Sequence, residues 1–84
     1  MKSAQKLWKL GVHKSVSEWV NQFAKRDWTS DKVDEAILKG SPHKAVNHVN
    51  LGNSATRYEY QDKSVVIDDV TKELLHVGKE GFKY

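Results

Sequence analysis

The sequence predicts an α+β domain in which N-terminal helices pack on one face of a four- to five-stranded antiparallel sheet. Apolar residues recur with helical spacing as far as about residue 39, and after Ser41-Pro42 the period falls to two. Eighty-four residues, 38% of them apolar, allow one modest core. Residues 1–84 are therefore read as a single domain, with helices over about 13–39 and a strand meander over about 43–84.

Taken in order, "AQKLWKLGV" is either an extra helical turn or an irregular arm whose Leu7, Trp8 and Leu10 need a hydrophobic partner. In "HKSVSEWVNQFAKRD", Val16, Trp19, Val20, Phe23 and Ala24 make an apolar stripe expected to be buried. Ser15 and Glu18 have capping-box spacing. Lys25 and Arg26 fall in the last turn, where cations suit the helix dipole. "WTSDKVDEAILKG" is a second helix, capped by Thr29 or Ser30, with Val33, Ala36 and Ile37 inward and Gly40 at its end. "KAVNHVNL", "TRYEYQ", "SVVIDD" and "ELLHVG" are four short strands, with breaks at "GNSA", Asp62-Lys63 and Val70-Thr71-Lys72. Trp28 is expected to anchor the helix junction, and Phe82 and Tyr84 to close the sheet edge.

Composition narrows the chemistry. Without cysteine there is no disulfide, no thiol nucleophile and no Cys-based zinc site. His43 and His48 lack helical i, i+4 spacing and no carboxylate cluster joins them, so neither a metal nor a cofactor is expected. The N-terminal apolar run beside Lys2 and Lys6 is too short for a signal peptide's hydrophobic region or a membrane span. A net charge of +3 leans toward a polyanionic partner, and the excess of Lys and Arg lies in the first forty residues.

Parity along the strands then sorts the side chains. In "ATRYEYQ", Tyr58 and Tyr60 share one face, and Arg57 and Glu59 share the other. With the tyrosines toward the helices, Arg57 and Glu59 project from the open face, joined by Lys44, His48 and Asn50 of "KAVNHVNL" and by His76. An Arg, a Glu, His and Lys on one face suit RNA cleavage without a metal. A base takes the ribose 2′-hydroxyl proton, an acid protonates the leaving 5′-oxygen, and cations hold the phosphate. Glu59 and His48 are the candidate acid and base; His43, Lys44, Thr56 and His76 are candidate substrate contacts, with Tyr58 a flat surface for a splayed base. The bland alternatives are a solvated ion pair, a surface histidine and core tyrosines. From the residues alone, nucleic-acid function and protein binding stay equally open, and another enzymatic activity stays open beside them.

"KRDWTSDKVDEAI" and the series "ATRY", "SVVIDDVTKE" and "HVGKEGF" resemble the ribonuclease domains related to the tRNA-cleaving colicin E-five, over roughly residues 23–84. The resemblance implies the barnase/EndoU/colicin/RelE fold. It also implies a toxin module of a bacteriocin or contact-dependent inhibition effector, delivered to the target-cell cytoplasm. Such a module cuts tRNA near the anticodon without a metal and leaves a cyclic 2′,3′-phosphate. An acidic immunity protein is the implied partner of an otherwise monomeric domain. Lys25, Arg26 and Arg57 occupy motif positions the family uses for cleavage, and Thr56 stands beside Arg57. Asp27 and Lys72 replace glycines of the family pattern, and Lys79-Glu80 replaces a Gly-Pro. A non-catalytic RNA- or protein-binding module on the same fold is the alternative.

Overall fold

The computed structural model describes residues 8–78. The elements run β1 (Lys9–Leu10), α1 (Val16–Lys25), α2 (Ser30–Lys39), β2 (Ser41–Ala45), β3 (Ala55–Tyr60), β4 (Lys63–Asp68) and β5 (Glu73–Val77). The sheet order is β1-β5-β4-β3-β2, with β2 to β5 antiparallel neighbours and β1 parallel to β5. The α+β class stands as expected, but the sheet is mixed rather than antiparallel. No hairpin fixes the direction of β1, which is distant from β5 in sequence and lies along its outer edge. Lys9 N donates to Lys72 O at 2.9 Å and Gly11 N to Leu74 O at 3.1 Å. The arm thus becomes a strand, and Trp8 beside it is buried with its indole N–H 2.7 Å from Asp34 Oδ1.

Both helices start where local chemistry dictates. Ser15 and Glu18 form the reciprocal capping box of α1, and Thr29 caps α2 by accepting from Lys32 N. The apolar stripe of α1 is not buried along its length: Trp19 is enclosed, whereas Val16 and Val20 are 68% and 60% exposed and Ala24 is exposed. The indole explains the difference. Trp19 reaches Gly11 O at 2.8 Å and meets Phe23 edge-on at 6.3 Å, so two aromatic rings fill the contact that five residues were expected to share. A groove of about 530 Å³, lined by Trp8, Leu10, Trp19, Val20 and Phe23, runs between α1 and β1.

The main core lies between the helices and the sheet: Trp8, Trp19, Trp28, Val33, Ala36, Val65, Ile67, Leu74 and Val77, with Tyr58 and Tyr60 packed against it. Leu74 and Val77 both join it although they are three positions apart, which regular alternation would place on opposite faces. Val66 opposes His76 and Ile67 opposes Leu74, leaving Leu75 as the extra residue of a β-bulge. The bulge turns Leu75 to the far side, where it forms a second cluster with Ala55 and Val66, flanked by Ala45 and Val49. The face away from the helices is therefore not bare.

The strand expected over "KAVNHVNL" ends at Ala45, and β2 starts earlier, at Ser41. Asn47 breaks it: its buried side-chain oxygen accepts from Val49 N at 3.1 Å and Asn50 N at 2.7 Å, turning the chain into a loop over 46–54. Gly40 holds β2 against β3 by close approach rather than by a left-handed conformation, since a Cβ there would meet Ala36 O and lie 2.7 Å from Glu59 O. Phe82, Tyr84 and the end of the meander expected to run to about residue 84 lie outside the described residues.

Candidate functional site

The register of the hairpins assembles the site. His43 on β2 opposes Arg57 on β3, Arg57 opposes Val66 on β4, and Val66 opposes His76 on β5. One row crosses four strands on the face away from the helices. The next row carries Ser41, Glu59 and Ser64. Neighbours across and along strands then touch: His43 Nε2 lies 3.3 Å from Glu59 Oε1, Arg57 Nη1 lies 3.9 Å from the same oxygen, and Arg57 Nη1 donates to Ser64 Oγ at 2.9 Å. Arg57's side chain is only 12% exposed, against 40% for Glu59 and 43% for His43. A guanidinium this enclosed is not the solvated partner of a surface ion pair, because its desolvation is offset only by specific acceptors. Its position is fixed, while Glu59 and His43 still meet solvent.

Arg26 and His76 meet at the β5 edge. β1 pairs only with Glu73 and Leu74, so the outer carbonyl of Val77 has no strand partner there, and Arg26 Nη1 donates to it at 2.8 Å. The same nitrogen lies 3.4 Å from His76 Nε2 and 3.4 Å from Gln22 Oε1. Lys14 Nζ shares that Gln22 oxygen at 3.0 Å and sits 4.7 Å from the centroid of the Trp19 ring. Burial first, then the charges of Arg26, Lys14 and His13, push His76 down to about 4. Burial, and secondarily Arg26, lowers Lys14, with Glu18 opposing them. His76 is consequently neutral at pH 7.

The remaining predicted site residues stand elsewhere. Lys44 opposes Thr56, and both belong to the helix-side parity of Tyr58, so neither lies with Arg57. Thr56 Oγ1 donates to Asp69 Oδ1 at 2.7 Å. Tyr58 packs against the main core, as its parity predicts, and that packing occupies the face offered to a base. His48 is exposed on the 46–54 loop, off the strand it was assigned to, and is not brought to Glu59. Lys25 is exposed at the end of α1, and among the described residues its side chain enters no hydrogen bond or ion pair. The histidine that the sheet brings to Glu59 is therefore His43.

A second network shapes the opposite end of the sheet. Asp68 is fully buried; its Oδ2 accepts from the side-chain amides of Asn47, Asn50 and Asn53 at 2.9, 2.7 and 3.1 Å, and its Oδ1 from Val70 N and Thr71 N at 2.8 and 2.9 Å. Burial pushes this carboxyl up, but the Thr71 N–H and the amides of Asn50, Asn53 and Asn47 outweigh it and hold the group well below the usual carboxylate range. Glu73 continues the network, accepting from Thr71 Oγ1 at 2.8 Å, Asn50 Nδ2 at 3.1 Å and Val12 N at 3.2 Å. Two signals announced it: asparagines at every third position from Asn47 to Asn53, and an Asp followed by a tight turn in "DDVT". Ser64, Lys14 and Gln22 carried no comparable sequence signal.

Lys72 and Asp27 take positive φ, 64° and 59°, without being glycine. Asp27 gains partners there, lying 3.1 Å from Lys32 Nζ and 3.4 Å from Lys63 Nζ. The Lys32 hydrogen bond and charge, with Lys63, lower its carboxyl. The negative charge beside Lys25 and Arg26 is thus turned onto two other lysines. Among the described residues no group of three or more His, Asp or Glu side chains is placed to hold a metal ion, and no helix is long and apolar enough to cross a membrane. No protein-family model, curated protein or solved structure matches the chain.

Proposed function

We propose that this domain is an endoribonuclease that cuts RNA at the His43–Glu59–Arg57 cluster without a metal. The carrying observation is the enclosed Arg57 guanidinium, set by Ser64 and flanked within 4 Å by a carboxylate that also meets a histidine. Arg57 holds the non-bridging oxygens of the scissile phosphate as a planar donor pair. Glu59 accepts the 2′-hydroxyl proton while O2′ attacks phosphorus. The bond to O5′ breaks, and His43 in its imidazolium form donates the proton that O5′ takes up. The products are a cyclic 2′,3′-phosphate and a 5′-hydroxyl, and two protons have changed partners with no redox step.

The substrate reading, tRNA cut near the anticodon by a toxin module on the barnase/EndoU/colicin/RelE fold, rests on the motif series shared with the colicin E-five-related domains. So does an acidic immunity partner, which the positively charged site would attract at a salt-dependent rate. Incubation of the pure domain with total tRNA in EDTA, with end mapping, tests the reading. Cleavage is expected, and Arg57→Ala is expected to lower it about 10²- to 10³-fold, the effect of losing one preorganised charge-stabilising donor, with circular dichroism unchanged. No product at micromolar protein, or product only with added metal, would refute the mechanism. RNA bound without product would favour the non-catalytic module.

A further inference from the structure

We propose that Lys14, Gln22, Arg26 and His76 form a second phosphate-binding subsite, which takes a backbone phosphate of single-stranded RNA next to the one held by Arg57. The proposal rests on the ribonuclease reading for the identity of the strand. Its own observation is a pair of cations gathered on one neutral oxygen: Gln22 Oε1 accepts from Lys14 Nζ at 3.0 Å and from Arg26 Nη1 at 3.4 Å. Among the described residues neither cation forms an ion pair. The one carboxylate acting on Lys14 is Glu18, whose Oε1 is engaged by Ser15 N at 2.9 Å in the helix cap. Two like charges brought together cost energy unless an anion joins them. A phosphate has the charge and the several acceptor oxygens that the single amide oxygen lacks.

Placement fits a continuous strand. His76 lies in the same cross-strand row as Arg57, with β4 between them, so the two are about 10 Å apart at the usual strand spacing. Arg26 reaches this row around the edge of β5 that β1 leaves unpaired. A strand crossing the sheet from β3 to β5 meets Arg57 first and the Arg26 cluster next. Burial is the larger cause of the lowered basicity of Lys14 and His76, and the charge of Arg26 adds to it in both.

The test separates binding from cleavage. A labelled single-stranded RNA carrying 2′-O-methyl groups throughout cannot be cut, and its affinity is measured by anisotropy across a salt series. Lys14→Gln is expected to flatten the slope of log K against log salt by about 0.7, the increment for one phosphate contact on a single strand. Gln22→Glu places a carboxylate between the two cations, and is expected to flatten the slope by about 1.4, two such contacts, while melting at or above the wild-type temperature. For cuttable RNA, Lys14→Gln raises KM and leaves kcat unchanged. Unmoved slopes in both variants, a Gln22→Glu protein that melts lower than wild type, or a wild type that binds no RNA would each overturn the subsite. A wild type that binds with these slopes but does not cut would refute the nuclease reading and leave the subsite standing.

Discussion

Replacing Asp68 by asparagine changes one atom and tests whether the buried carboxylate pins the 46–54 loop. The variant's side-chain oxygen can serve Val70 N and Thr71 N, as Oδ1 does at 2.8 and 2.9 Å. Its NH₂ then faces the amide donors of Asn47, Asn50 and Asn53. Asn47 has no escape by flipping, since its oxygen already accepts from Val49 N and Asn50 N. Asn50 and Asn53 are half-buried and rebond partly to water, so roughly one full charge-assisted bond is lost and one buried donor is stranded. At about 1.5–3 kcal/mol for the first and about 1–3 for the second, the loss is about 2.5–6 kcal/mol. That is a large share of the 5–15 kcal/mol, roughly, that holds a domain together. Urea unfolding followed by tryptophan fluorescence at pH 7 measures it directly. The folded carboxyl lies below its unfolded value of about 3.9. Its contribution is complete above that value and fades as pH falls further, so the gap between wild type and variant is constant from about pH 7 to 5 and narrows below 4. A loss under about 1 kcal/mol at pH 7, or a gap that does not narrow in acid, would refute the reasoning.

Three further outcomes follow from backbone and charge. Lys72→Gly relieves a left-handed residue at φ 64° and is expected to raise stability by about 0.5–1 kcal/mol in chemical denaturation. Asp27→Gly is expected to be near neutral, because the same relief is offset by loss of the contacts to Lys32 and Lys63. His76 has a folded pKa of about 4 against about 6.5 unfolded. The unfolded chain therefore binds the extra proton between these values, and stability rises with pH across that window. His76→Gln should remove this part of the slope in melting temperatures measured from pH 4 to 7.5; an identical slope in the variant would contradict the burial of a neutral imidazole.

The sequence by itself determined what local chemistry settles. Capping at Ser15 and Thr29, the two helices, the period-two strands and the opposite parity of Tyr58 and Arg57 were all legible, because each depends on neighbours within a few residues. Tertiary structure decided the rest. The parallel pairing of β1, the bulge at Leu75 and the exposure of Val16 and Val20 depend on which distant surface each segment meets. Asn47 overrode an alternating pattern because a buried carboxylate 21 residues away organises its loop. At the candidate site, Arg57 and Glu59 could be placed on one face by counting. Only the strand register could set His43 rather than His48 beside Glu59, because a one-residue change of register reverses the face of every side chain in a strand, and only the packing of α1 could bring Arg26, with Gln22 and Lys14, to His76.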